Sequence, residues 1–324
     1  MALRSKLEGM QPALDRLIDD YRQGRLPQAL LLSGAQGIGK EELAGYLATV
    51  LLCDDTADKP CGHCTACQRL ARGVHANMLK LALAPREKSI KIDQLRKLLE
   101  SLSLNPLQAG RRVVIMLDID TMTVQAQNAL LKSLEEPDEG TYFLLSTKNE
   151  QAVLPTIMSR CRLMRLLPWH DEKMLEHLGS EGIAQERARE LTSLSRGLPG
   201  LALQLDRDTQ YWSIRQLLDE SIFNVKTLTD IPDASAALKD SRDVADLVLD
   251  LVEQKALLSL MIACSDETPS SPHPWREASP TALMRVLQAV MTARKYRNSN
   301  VSWQAILDRL LFTITKEIYA CQWS

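Results

Sequence analysis

Three groups of residues in this chain have the types and spacing to do chemistry. The first is GAQGIGKEE at 34–42. Gly34, Gly39 and Lys40 stand where a phosphate-binding loop, G-x-x-x-x-G-K followed by Ser or Thr, requires them. In such a loop, backbone N–H groups and the N-terminus of the next helix cradle phosphates, the lysine reaches the β- and γ-phosphates, and the hydroxyl ligates Mg²⁺. Here Glu41 takes the hydroxyl position. Its carboxylate is longer and brings negative charge beside the phosphates, and the helix dipole favours it when no phosphate is bound. The other half of a nucleotide site is an acid that ends a core strand and holds Mg²⁺. VVIMLDID supplies Asp118. Where an activating Glu would follow, the chain has Ile119, and strand alternation turns Asp120 and its neighbours to opposite faces. Losing a general base alone costs about 10²–10⁴ in rate. The pattern therefore predicts poor turnover. It leaves open whether ATP is still bound or only the fold of a nucleotide site is kept.

The second group is Cys53, Cys61, Cys64 and Cys67, spaced C-x7-C-x2-C-x2-C. Thiolates bind Zn²⁺ tetrahedrally, and C-x2-C turns bring two sulfurs to one ion. Four cysteines predict a closed, structural zinc site. Free thiols and an iron–sulfur cluster are the alternatives, although the ferredoxin pattern wants its further Cys downstream beside Pro. His63 lies inside the Cys61–Cys64 turn and reads as outside the ligand set. Cys161, Cys264 and Cys321 read as core thiols. The third group is Ser159-Arg160-Cys161. By composition alone, Arg160 is a surface residue in a salt bridge of little worth.

These groups need a scaffold, and the hydrophobic pattern supplies one. ALLLSG (29–34), MLKLALA (78–84), RRVVIMLDID (111–120), TYFLLST (141–147) and CRLMRLL (161–167) read as strands. Between them EELAGYLATVLL, IDQLRKLLESL, VQAQNALLKSLEEP and LPTIMSR read as helices. Leu43, Tyr46, Leu47, Val50 and Leu51 form one inward stripe, and Leu95, Leu98, Leu99 and Leu102 another. Alternation of this kind argues for a parallel sheet with helices on both faces. After Pro168 the chain reads as helix to its end, broken at RGLPG (196–200) and at the Ser/Pro-rich loop 265–275. The expected organisation is an α/β domain over 1–168 with a cysteine insertion at about 53–67, a small helical domain over 169–207 and a helical bundle over 208–324.

Composition narrows the function classes. The 324 residues carry a net charge of −2, so no global basic field announces nucleic acid. Aromatics make up 4%, too few for an extended base-stacking platform. Lys91, Lys97, Arg111 and Arg112 read as a solvated face rather than DNA contacts. No apolar run approaches a membrane span, and the N-terminus lacks the apolar core of a signal peptide, reading instead as an amphipathic helix with Leu14 and Leu17 inward. The expected location is the cytoplasm. The five histidines form no catalytic cluster.

Taken in order, the glycine loop, the C-x7-C-x2-C-x2-C insertion, the LDID strand, NALLKSLEEP and SRC resemble the clamp-loader branch of the AAA+ ATPases. The likeness covers about the first 200 residues, and NSNVSWQAILDRLLF resembles the last collar helix of that family. The resemblance implies an AAA+ P-loop domain, a helical lid and an oligomerising collar. The assembly it implies is the bacterial DNA polymerase III clamp loader, part of a DNA-directed DNA polymerase. The implied partners are gamma/tau motor subunits and a delta subunit, and through them the sliding clamp and primed DNA. Motor subunits have a complete loop, an Asp-Glu pair and a lid arginine. This chain has Glu41, Ile119 and Gly200 at those places, which favours a stationary, non-motor subunit. The resemblance also gives Arg160, flanked by Ser159 and Cys161, the role of an arginine finger acting on a neighbour's γ-phosphate. Two readings compete with this one: an active ATPase motor, with Asp120 standing in as base, and a metal-centred redox or sensor protein.

Overall fold

The structure is a computed structural model that describes residues 7–55, 59–84, 87–103, 110–225, 227–264, 274–297, 299 and 301–319. The chain folds as two compact units, Met1–Asp206 and Arg207–Ser324.

The first unit is built on five parallel strands: β1 (Ala29–Ser33), β2 (Met78–Leu81), β3 (Arg112–Met116), β4 (Thr141–Thr147) and β5 (Arg162–Arg165). Their order across the sheet is β2-β3-β4-β1-β5. All of β1 is buried, as a central parallel strand covered on both faces must be. Around the sheet lie α1 (Gln11–Arg22), α2 (Lys40–Leu52), α3 (Thr65–Ala71), α4 (Ile92–Ser103), α5 (Val124–Glu135) and the single turn α6 (Pro155–Met158). One core face joins Leu31, Val114, Met116, Phe143 and Leu145 of the strands to Leu95 of α4 and Ala126 and Leu130 of α5. The expected inward residues of α1 and α2 are all buried, while Leu98 and Leu99 of α4 are only partly so.

The strand expected over 111–120 stops at Met116. Leu117 still donates its N–H to Leu81, but Asp118 turns into the left-handed region at φ 50° and ψ 53°. Ile119–Thr121 then forms a tight 3-10 turn. A strand cannot continue through a left-handed residue, so the LDID acids sit on a turn rather than on alternating strand faces.

After β5 come α7 (Asp171–Ser180), α8 (Gln185–Ser195) and α9 (Pro199–Arg207). Trp169 holds them to the sheet domain. Its N–H donates to Gly197 O at 2.8 Å, and a Cβ on Gly9 would fall 2.0 Å from its ring. The C-terminal ends of β1 and β5 are joined to the turn after β4 by Glu150. It accepts from Ser33 Oγ (2.7 Å) and is gripped by Arg165 through Nε (2.8 Å) and Nη2 (2.7 Å).

The second unit is helical, as expected. Its main elements are α10 (Thr209–Glu220), α11 (Ile231–Ala237), α12 (Ala245–Ala263), the short α13 (Pro274–Glu277), α14 (Pro280–Arg297) and α15 (Trp303–Tyr319). Helices α12, α14 and α15 pack side by side around Leu249, Val286 and Leu311. Two expectations fail here. Trp275, assigned to a loop, belongs to α13 and is fully buried, while 265–273 lie outside the described residues. Cys264, expected in the core, caps α12 and is exposed, because the helix ends there. Cys321 also lies outside the described residues.

The hydrogen bonds from Arg165 and Ser33 hold the Glu150 carboxyl below its ordinary value of 4.5. A depressed carboxylate contributes stability that is complete above the unfolded value and is lost as pH falls through the folded one. Glu150→Gln is therefore expected to lower the thermal midpoint at pH 7. The gap to the parent protein should narrow as pH falls below 4.5 and close once the carboxyl is protonated in the folded protein; a gap that does not narrow on acidification would contradict this.

Candidate functional site

The glycine loop leaves the C-terminal end of β1 and enters α2, as the sequence requires. Its conformation depends on glycine at two points. Gly37 has φ +81°, and a Cβ there would lie 2.9 Å from the backbone N of Leu201. Gly39 has φ +102°, and its Cβ would strike the Met10 methyl at 2.6 Å. The loop is thus pressed by α9 on one side and by the N-terminal segment on the other. Gly200 of α9 donates its N–H to Gly37 O at 2.8 Å.

Lys40 is buried and turned inward. Its ammonium donates to Gly34 O at 2.8 Å and to Ala35 O at 3.0 Å. Burial lowers its pKa from the ordinary value, against the opposing pull of Asp118 and Asp120. Loop carbonyls thus take the charge that would otherwise meet a phosphate. Glu41 points away to the sheet edge and forms an ion pair with Lys80 of β2. Asp118 remains half-buried near Lys40, its backbone N–H donating to Ser146 Oγ at 3.0 Å. Of the residues named from the sequence as a nucleotide site, Gly34, Gly39, Lys40 and Asp118 lie near one another, while Glu41 turns away to Lys80.

Asp120 is already engaged. Its carboxylate accepts from Thr147 Oγ1 at 3.0 Å and from the backbone of Lys148 at 3.2 Å, tying the turn after β3 to the end of β4. Ile119 is fully buried in the core face below the loop.

The four cysteines converge. Their sulfurs all lie within 4.8 Å of one another. Cys53–Cys61 is 3.6 Å, Cys53–Cys64 is 3.9 Å and Cys61–Cys67 is 4.0 Å. A tetrahedron with metal–sulfur bonds of about 2.3 Å has edges of about 3.8 Å, so the spacing suits one ion. Backbone N–H groups of Cys61, Cys64 and Cys67 point at the sulfurs of Cys53, Cys61 and Cys64 at 3.5, 3.4 and 3.3 Å. Burial raises Cys53 and Cys67. Cys64 is also pushed up by burial, yet backbone hydrogen bonds from Cys67 and Asp54 bring it down to about 7. The cluster could hold a metal. His63 is exposed, with Nδ1 2.9 Å from Cys61 O.

Arg160 ends the turn after α6. Its Nη1 lies 2.9 Å from Thr156 O and 3.4 Å from Ser159 Oγ, and its Nη2 pairs with Glu135 of the SLEEP segment. That partner was not visible in sequence, where the two residues stand far apart. Cys161 beneath is buried, which pushes its thiol up to about 12, so it packs rather than reacts.

The family described as "DNA polymerase III, delta subunit" matches residues 9–170, which hold the glycine loop, Asp118, Asp120, the four cysteines and Arg160. The chain belongs to that family. It is 34% identical over 215 residues to DNA polymerase III subunit delta' of Escherichia coli K12, covering 66% of this chain and 64% of that one. Against the subunit delta' of Bacillus subtilis it is 26% identical over 324 residues, covering 95% and 97%. It is also 32% identical over 196 residues to subunit tau of E. coli K12, covering 59% of this chain and 30% of that one. The chain thus spans a little under two thirds of the E. coli delta' relative. In this family member the position that follows the Mg²⁺-type acid is part of the core. Ile119→Glu is accordingly expected to bury a carboxylate, lowering stability by about 3 kcal/mol or more without creating ATP turnover. Thermal unfolding and a phosphate-release assay check both halves of that expectation.

Proposed function

We propose that this chain is the non-motor, stationary subunit of a DNA polymerase III clamp loader and that it lends Arg160 to the nucleotide site of a neighbouring motor subunit. One observation carries the reading. Strand β5 runs parallel to β1, with Leu30 opposite Arg162 and Ser33 opposite Arg165. Arg160 precedes β5, whereas the glycine loop follows β1. The two therefore lie at opposite edges of the sheet, separated by about 13 Å of strand. Arg160 is out of reach of its own loop, so a phosphate it contacts belongs to another chain. An arginine supplied in trans is worth about 10³–10⁵ in rate.

The state of the chain's own loop supports a non-motor role. Lys40 is committed to loop carbonyls, Glu41 to Lys80 and Asp120 to Thr147. This counts against the motor reading, in which Asp120 would act as base. The organisation we propose is an AAA+ domain over 1–168, a lid over 169–207 and an oligomerising collar over 208–324. In the second unit the apolar side chains of Met261, Met291 and Phe312 are exposed, which suits an assembly surface. The partners are gamma/tau motor subunits and the delta subunit, acting on the sliding clamp at primed DNA.

For the cysteine cluster we propose structural zinc. Four thiolates close the coordination shell and leave no position for substrate, and the tight sulfur spacing favours tetrahedral Zn²⁺. The purified protein is expected to be colourless and to contain about one zinc per chain. Strong chelation should lower its thermal midpoint. A brown, iron-containing preparation would favour the redox reading instead.

The central test is Arg160→Ala in the reassembled complex. Single-turnover hydrolysis at the adjacent motor site should fall by about 10³-fold or more while assembly, followed by gel filtration, is unchanged. The isolated chain should show no turnover with or without Lys40→Ala. A mutant complex that hydrolyses ATP at the parent rate would remove Arg160 from catalysis.

A further inference from the structure

A second group of cations lies at the N-terminal edge of the sheet. There a cavity of about 470 Å³ is lined by Ile18, Tyr21 and Arg22 of α1, Gly24 just after it, Val50 of α2, Lys59 of the cysteine segment and Arg111 just before β3. Its volume falls in the range of small-ligand sites. Three of these seven residues are cations, and among the described residues no acidic side chain lines the cavity.

The cations gather on one ring. The Arg111 guanidinium carbon lies 5.2 Å and the Lys59 ammonium 5.8 Å from the Tyr21 centroid. Arg111 Nη1 donates to the Tyr21 hydroxyl at 2.7 Å, and Lys59 Nζ donates to Cys53 O at 3.0 Å. Among the described residues neither has a carboxylate partner. Arg22 has only Asp19, at 3.7 Å on the exposed helix surface. A guanidinium offers five N–H donors and an ammonium three. Most of these donors are unspent, and among the described residues Lys59 and Arg111 converge with no carboxylate between them.

We propose that this cavity binds the phosphate group of a nucleotide, with Arg111, Lys59 and Arg22 holding the phosphate and the base lying on the apolar floor of Ile18 and Val50 beside Tyr21. Phosphate oxygens suit an arginine–lysine pair, and aromatic and guanidinium planes suit a base. An acidic peptide would neutralise the cations but would bring no flat apolar group to cover ring and floor. The same chemistry is offered by a free nucleotide and by a single DNA strand. The site uses neither Lys40 nor Arg160 and lies across the sheet from the glycine loop, so it stands or falls separately from the role proposed for Arg160.

The test is fluorescence anisotropy of the full chain with labelled twelve-residue oligothymidylate at low salt, with unlabelled dTMP, oligothymidylate and polyglutamate as competitors. On a strand, where each of the three cations can neutralise one phosphate, the slope of log K against log[salt] is about −2, and the double variant Lys59→Gln/Arg111→Gln should reduce it by about 1.4 units. Affinity should fall at least tenfold in that variant and stay unchanged in Lys40→Ala. Tyr21→Phe, which keeps the ring but frees Arg111, should weaken binding by a smaller factor, and circular dichroism should show each variant folded. Competition by dTMP as strong as by the strand identifies a free-nucleotide site, and competition by the strand alone identifies a DNA site. Either result supports the proposal. Absence of binding by the parent chain, equal binding by the double variant, loss of binding in Lys40→Ala, or equal competition by polyglutamate would each overturn it.

Discussion

A parallel sheet has a direction, and the chemistry of this protein is arranged along it. All five strands run the same way, so every strand-to-helix turn opens on one edge and every helix-to-strand turn on the other. The glycine loop and Asp118 follow the C-terminal ends of β1 and β3, and Thr147 ends β4. Arg160 and Arg111 precede β5 and β3. No side-chain rearrangement carries a residue from one edge to the other through a sheet whose central strand is wholly buried. The glycine loop and Arg160 are thereby kept apart within the chain, as the role proposed for Arg160 requires. A second chain is the simplest way to bring such groups together.

On the loop side, the governing term is the charge of Lys40. A buried ammonium must find hydrogen bonds, or else give up its proton. Here Gly34 and Ala35 carbonyls supply the bonds, while Asp118 and Asp120 favour the charged form against burial. The residues around it add internal contacts. Glu41 pairs with Lys80 across to β2. Gly200, with no side chain, brings its backbone close enough to hold Gly37. The loop is stabilised by its own surroundings.

Much of this was legible in the sequence, for reasons that differ from residue to residue. Cys61, Cys64 and Cys67 announced themselves because ligand spacing is local, and their convergence follows from short turns. The sheet was legible because buried parallel strands are continuous apolar runs. The LDID segment was misread because its last residues look like strand, and only the left-handed Asp118 ends it. Cys264 was misplaced for a related reason: where α12 stops decides its exposure, and helix ends are the least predictable part of a helix. The partners of Glu41, Asp120 and Arg160 were invisible for another reason. They lie 39, 27 and 25 residues away, and a lone charge carries no mark of its distant partner. The same holds for Arg111, a member of an apparently solvated pair until Tyr21, 90 residues earlier, is placed beside it.

Helix α2 connects these separate parts. Its first residue is Lys40, and its last, Leu52, is followed at once by Cys53. Thirteen residues span about 20 Å, enough to run from the loop at one edge of the sheet to the cysteine cluster at the other. At the far end Lys59, held within the Cys53–Cys61 segment, returns to Cys53 O and overlies Tyr21. A metal closing the four thiols would fix the end of α2 and the path of that segment together. This gives the insertion a physical role: it ties down the far end of the helix that begins at Lys40. A helix held at both ends resists small displacements of loop and sheet, which is what the stationary role proposed above asks of it.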